Sequence, residues 1–253
     1  MLTRLIFVSL LLLNPTLSYA TDKMAYRIGI EDIDYYPHFA FGYKKSSFAK
    51  ELLERFFQSV NADVTYVSLP LKRFNLWYAS DKLDFKYPDN RGWRQDEPEK
   101  LPIIYSDEIV QLTAGTTVLV DKLGKKRDNI QRLSTILGFY PTLWVDRVKS
   151  KQTIIVSDPS VMSVIKMNIN GFVDATNLDY SVIHHQLQKL GKTKVMLMDK
   201  SLPHMTYGFH LSTIKHPQMI KQFNRFYKNN PLFIQQLKTK YQIIDDPFDL
   251  NSF

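Results

Sequence analysis

The stretch GFVDATNLDYSV, residues 171–182, decides how the chain is read. From Gly171 to Asp179 it reads as a strand, and from Tyr180 the pattern becomes YSVIHHQLQKLG, a helix closing at Gly191. Asp179 stands at the junction, in the position of a helix N-cap. With Asp174 it also raises a chemical question, because two nearby carboxylates suit acid/base work, a metal, ligand recognition or plain capping. A strand rises about 3.3 Å per residue, which sets the two roughly 16 Å apart. The carboxylates of a glycosidase lie within roughly 5 to 9.5 Å of each other. The aspartates therefore have separate jobs: Asp174 orders the turn after Gly171, and Asp179 ends the strand.

Outward from this stretch the strand–helix alternation recurs. Before it, STILGFY (134–140) reads as strand, PTLWVDRVKS (141–150) as helix and TIIVS (153–157) as strand. DPSVMSVIKMNIN (158–170) reads as a helix with Asp158 at the cap and Pro159 in the first turn. After it, KVMLMD and HMTYGFHLS are extended, and two amphipathic helices follow, about His216–Asn229 and Pro231–Tyr241. Near the N-terminus, AYRIGI (25–30), VTYVSL (64–69) and LDFKY (83–87) read as strands. They alternate with a helix capped by Ser46 or Ser47, carrying Phe48, Leu52, Leu53 and Phe56 on one face, and a helix opened by Pro70.

Right-handed crossovers make such βαβ runs into mostly parallel sheet. The expected fold class is α/β: two βαβ-rich lobes joined by strand-like crossings near Val118 and Tyr207, with a cleft outside the carboxyl ends of the strands. The terminal helices bring no sheet of their own and return to the first lobe. The expected boundaries are 21–117 with 208–253 for lobe 1, and 118–207 for lobe 2.

Residues 1–20, MLTRLIFVSLLLLNPTLSYA, combine Arg4, an apolar run from Leu5 to Leu13 and a small-residue end at Ala20. This is a secretory signal with cleavage expected after Ala20, its apolar run being too short to span a bilayer. No cysteine occurs, so neither a lipid-attachment site nor a disulfide framework is expected. An exported protein held by its core alone is expected, and the expected form is a periplasmic monomer.

The net charge of +8 is spread along the chain, and export separates the protein from nucleic acid, so no nucleic-acid partner is expected. Nucleophilic catalysis has no Cys and no G-x-S-x-G to start from. His184 and His185 are neighbours on a helix and point about 100° apart, which is not the spacing of a zinc pair. Neither a metal nor a cofactor is expected.

Four segments carry a resemblance: YRIGIEDIDYYPHF (26–39), SSFAKELLERF (46–56), LPLKRFNLWYASDKLDF (69–85) and INGFVDATNLDYSV (169–182). In this order they resemble the type II periplasmic solute-binding proteins, specifically bacterial extracellular solute-binding family 3, which includes polar amino-acid receptors. The resemblance covers nearly all of the chain after residue 20. It implies a receptor whose two lobes close on a small polar solute and which serves a membrane permease or a membrane sensor. It also implies that Asp179, five positions after the strand's first Asp, meets the ligand ammonium, and that Tyr35 and Tyr36 form an aromatic wall.

The family's Thr-x-x-Arg, whose guanidinium clamps a ligand carboxylate, is replaced here by KYPDNRGWRQDEPEK (86–100). Within it Arg91 or Arg94 is a candidate anion clamp or a surface ion-pair partner, with Asn90 beside it and Trp93 as a stacking wall. Phe139 and Tyr140 precede a helix start able to hold an anion, and Arg73 either reaches the cleft or braces the lobe. The alternative function is an enzyme on the same scaffold, such as a dehydratase-like lyase. No glutamate stands out in the sequence as its general acid, since the glutamates fall mainly in runs such as DEPEK (96–100).

Overall fold

The computed structural model describes residues 23–70, 76, 82–94, 101–139 and 141–249. Strand β1 (Met24–Glu31) buries Tyr26, Ile28 and Ile30 at alternate positions and pairs in parallel along its whole length with β2 (Ala62–Leu69). Its other edge takes β3 (Phe85–Asp89), also parallel. Helix α1 (Phe48–Ser59) makes the crossover from β1 to β2. Phe48, Leu52, Leu53 and Phe56 recur at helical spacing and are fully buried, each burial worth about 1.5 to 3 kcal/mol. Ser47 is the N-cap of α1, but its buried hydroxyl has no hydrogen-bond partner among the described residues. The helix expected after Pro70 lies largely outside the described residues; Leu76 within it is helical and exposed.

The same plan is repeated further along. β6 (Arg132–Ile136) pairs in parallel with β7 (Ile154–Asp158) on one edge and β8 (Ala175–Asp179) on the other. A 3-10 turn at Thr142–Trp144 runs into α2 (Val145–Lys149), and α3 (Val161–Ile169) and α4 (Tyr180–Lys189) follow β7 and β8. Each unit thus has the order second–first–third strand.

The long strands β5 (Val110–Leu119) and β10 (His204–Thr213) pair antiparallel between the units, with Tyr207 opposite Leu112. β10 continues onto β3, and β5 onto β8. The result is one curled sheet, β2-β1-β3-β10-β5-β8-β6-β7, with β4 (Ile104–Tyr105) on β10 and β9 (Met196–Met198) on β5. Helices α5 (Pro217–Asn229) and α6 (Pro231–Lys240) start on proline, which suits the first helical position. They pack on α1: Phe223 and Phe226 lie 5.0 and 5.6 Å from the Phe56 ring, and the Lys240 ammonium reaches Glu51 at 2.6 Å.

Two local expectations are corrected. The cap of α3 is Ser160, whose hydroxyl accepts from the Ser163 N–H at 3.3 Å. Asp158 is still the last residue of β7, in register with Ile136, so the chain leaves strand geometry only after it; its carboxylate accepts from the Ser160 N–H instead. Likewise β8 begins at Ala175, and Asp174 accepts from the N–H groups of Gln131 and Arg132 at 3.0 and 2.9 Å. It tethers the start of β6 rather than the turn after Gly171. Gly191 follows the C-cap of α4 at φ +64, the left-handed conformation that lets a helix stop there.

Candidate functional site

Because the strands of each unit are parallel, their carboxyl ends gather on one side. Glu31 and Asp89 end β1 and β3, and Ile136 and Asp179 end β6 and β8. The two sets meet across a seam, where the Tyr35 and Phe139 rings stand 5.5 Å apart and the hydrophobic core runs through without interruption.

Asp179 is the polar centre of the seam. Its carboxylate caps α4 by accepting from the Val182 N–H at 3.3 Å, so the capping role read from the sequence is present. The same oxygen lies 2.7 Å from Nε2 of His38, a residue 141 positions away in the loop after β1. The Asp179 N–H donates to the Tyr35 hydroxyl at 3.1 Å. Asp179 is 1 % exposed and His38 0 %, so this contact is shielded from water. Tyr35 stacks on His38 with ring centres 6.1 Å apart, and burial holds its hydroxyl well above the usual phenol range. Phe209 meets His38 edge-on at 6.1 Å.

The first-lobe wall is polar as well. Asp89 accepts from the Ser212 hydroxyl at 2.5 Å and from the Asn90 N–H at 2.9 Å, and the Lys86 ammonium lies 3.4 Å from it. All of Lys86, Asp89 and Ser212 are buried. Glu31 is buried beside them, and burial raises its carboxyl to about 7, with Lys86 lowering and Asp89 raising it further. Trp93 stands above at 46 % exposure, its ring 5.7 Å from the Lys86 ammonium and close to Phe209 and Tyr207.

Of the residues singled out from sequence, Asp179, Tyr35 and Phe139 come together, and Trp93 joins them through Phe209. Tyr36 packs on His185 of α4 at 4.1 Å, with the Lys45 ammonium 4.7 Å from its ring centre, at the half-buried edge of the seam. Asn90 is spent on the backbone: its amide donates to Gly208 O at 2.7 Å and accepts from the Gly92 N–H. Arg91 is exposed and lies 5.3 Å over Tyr105. Arg73, Tyr140 and the side chain of Arg94 lie outside the described residues.

Sequence reasoning missed His38, Glu31, Lys86 and Asp89. For the last three a signal was available: Glu31 closes the apolar run of β1, and Lys86 and Asp89 interrupt a strand that is buried along its length. Charges placed inside strands that read as core are expensive unless paired, so they mark positions where a partner or a ligand is to be looked for.

An open groove of about 450 Å³ runs between Asp34 and Tyr43 on one side and Pro159–Met162, Gln186 and Lys189 on the other. Nearby, His185 is held down to about 4, first by burial and then by the charges of Lys189 and Lys45. Among the described residues no three or more His, Cys, Asp or Glu side chains are grouped to hold a metal, and no helix is long and apolar enough to cross a membrane.

Neither a family model nor a curated protein matches the sequence. Solved structures do. An arginine periplasmic binding protein from Legionella pneumophila aligns at TM-score 0.63 and 12 % identity, over 87 % of this chain and 100 % of that one. The GluR0 ligand-binding core from Nostoc punctiforme, in complex with L-glutamate, aligns at 0.67 and 13 %, over 85 % and 98 %. An ancestral amino acid-binding protein, a precursor of cyclohexadienyl dehydratase, aligns at 0.64 and 16 %, over 86 % and 95 %. At such identities the agreement is one of architecture: this chain has the two-lobe α/β fold of the type II periplasmic binding proteins.

Proposed function

We propose that this chain is a periplasmic solute-binding receptor that closes lobes 21–117 with 208–253 and 118–207 on a small polar solute, amino-acid-like or a related amine or acid. Exported by a cleaved signal, it works as a monomer and delivers the solute to a transporter or presents itself to a membrane sensor. The observation that carries the reading is Asp179: a carboxylate at the carboxyl end of β8, fixed by the start of α4 and turned onto first-lobe side chains. A ligand between the lobes would meet it, with Tyr35, Phe139 and Trp93 as walls and Arg94, Arg73 or Tyr140 as further contacts. The neighbours in this fold include proteins for arginine and for glutamate, which supports a small charged solute.

Thermal-shift and calorimetric screening of the mature chain against amino acids, short peptides, polyamines and organic acids tests the proposal. A saturable ligand recovered unchanged supports it; absence of any response across the panel sinks it.

A second reading has one observation in its favour. Glu31, buried at the seam and titrating near neutrality, has the properties of a general acid, which a dehydratase-like lyase needs. Mass-spectrometric detection of a dehydrated product from a bound compound would replace the receptor with that enzyme.

A further inference from the structure

We propose that His38 is the chain's own occupant of the cation position at Asp179, so that a solute enters by exchanging its protonated nitrogen, an ammonium or guanidinium, for the imidazole. This rests on the receptor reading and narrows the ligand to a class.

The carboxylate cannot retreat to water. It is buried, bonded to the Val182 N–H, and its own backbone N–H is held by Tyr35. A solute seated there with water excluded must replace His38 or leave a desolvated carboxylate without its counter-group, which is strongly penalised. An anionic solute makes this worse, and a neutral one restores little.

The imidazole, by contrast, has little polar anchorage. The backbone around it is pinned by the first turn of α1, where the Phe48 and Ala49 N–H groups donate to the carbonyls of Pro37 and His38. Among the described residues Asp179 is the ring's one hydrogen-bond partner, and its buried Nδ1 has none. A single hydrogen bond therefore ties the occupant to Asp179, and ring packing supplies the rest. The rings of Tyr35 and Phe209 that flank the imidazole are surfaces a cation also favours. The remaining charged groups of the first-lobe wall are Glu31 and Asp89 with Lys86 between them, and Lys86 is already paired to Asp89.

The test uses the full mature chain, its His38→Ala and His38→Gln variants, and four probes: imidazole, putrescine, L-arginine and succinate. Millimolar imidazole should raise the melting temperature of His38→Ala and leave the wild type unmoved. Putrescine or L-arginine should bind His38→Ala about tenfold tighter or more, the worth of a hydrogen bond to a charged group, while succinate gains nothing. His38→Gln keeps one donor for Asp179, should fall between the two, and carries the test where His38→Ala does not fold.

Folded variants whose imidazole response and amine affinity equal those of the wild type overturn the proposal. Rescue by imidazole without binding of any solute would support the self-occupied cation position and overturn the receptor reading. Solute binding with neither rescue nor tighter affinity would do the reverse.

Discussion

At the end of β7 the chain passes through Asp158 and Ser160 into α3; at the end of β8 it passes through Asp179 into α4. Both junctions follow a strand paired in parallel with β6, and both put a side-chain oxygen on the N–H three residues on. Yet Ser160 is exposed, while Asp179 is buried against His38 and Tyr35. Local grammar makes the two equal, and the opposite lobe makes them different. β8 lies next to β5 in the middle of the sheet and delivers its end to the seam, whereas β7 is the outer strand.

The comparison breaks most visibly at Asp179. Replacing it with Ala removes the cap of α4 and leaves His38 buried without its acceptor, a loss of about 3 to 5 kcal/mol of folding stability. Urea titration of the variant measures it. A loss no larger than that of an exposed cap would mean that the His38–Asp179 contact contributes nothing to the fold. Asp179→Asn, which can still cap, should lose less.

Glu31 sharpens the same contrast from the first-lobe side. Its folded carboxyl titrates near 7 against an ordinary value of 4.5, so the folded chain holds the proton more tightly than the unfolded chain. Stability from this group is therefore complete below about pH 4.5 and is lost as pH rises through 7, by about 3 kcal/mol in full. Glu31→Gln removes the titration. The variant should match the wild type near pH 4.5 and exceed it increasingly up to pH 8, as read by urea midpoints across that range. A constant difference would place Glu31 in a solvated environment instead.

What the sequence shows of this site follows the same division. Asp179 was legible because a strand, a polar junction and a helix lie in consecutive positions, and all three act through local backbone geometry. Gly191 was legible for the same reason. Asp158 was misread because the number of residues β7 keeps in register with β6 depends on a partner strand more than twenty positions earlier. His38 was not legible at all. Its role depends on a contact across 141 positions, and nothing in YYPHF distinguishes a histidine facing a carboxylate from one facing water. The first-lobe wall falls between these cases. Lys86 and Asp89 are conspicuous as charges within a buried strand, but their partner Ser212 arrives only when β10 returns beside β3.

Between the buried and exposed extremes lies the edge of the seam, where His185 of α4 stacks on Tyr36. Burial, then Lys189 and Lys45, depress its pKa to about 4, so the unfolded chain binds this proton more readily than the folded one. Its stability contribution is present above about pH 6.5 and is lost as pH falls through 4. The side chain is partly exposed, which screens the effect to about 1 to 2 kcal/mol. His185→Gln should flatten that part of the acid limb relative to the wild type in parallel denaturant titrations at pH 7 and pH 4.

Ser160→Ala gives the smallest effect and fixes the baseline of the comparison. It deletes the hydroxyl that accepts from the Ser163 N–H but leaves Asp158 bonded to the backbone N–H of residue 160, which any residue there supplies. Solvent can satisfy the freed N–H at this exposed end, so the loss should be about 1 kcal/mol. Because the site lies outside the Asp179 cluster, ligand affinity in the variant should equal that of the wild type, and its stability loss should combine additively with the gain of Glu31→Gln at neutral pH. A loss approaching that of Asp179→Ala would show that capping itself, rather than burial against His38, dominates both junctions. Equal losses would remove the distinction on which the special position of β8 depends.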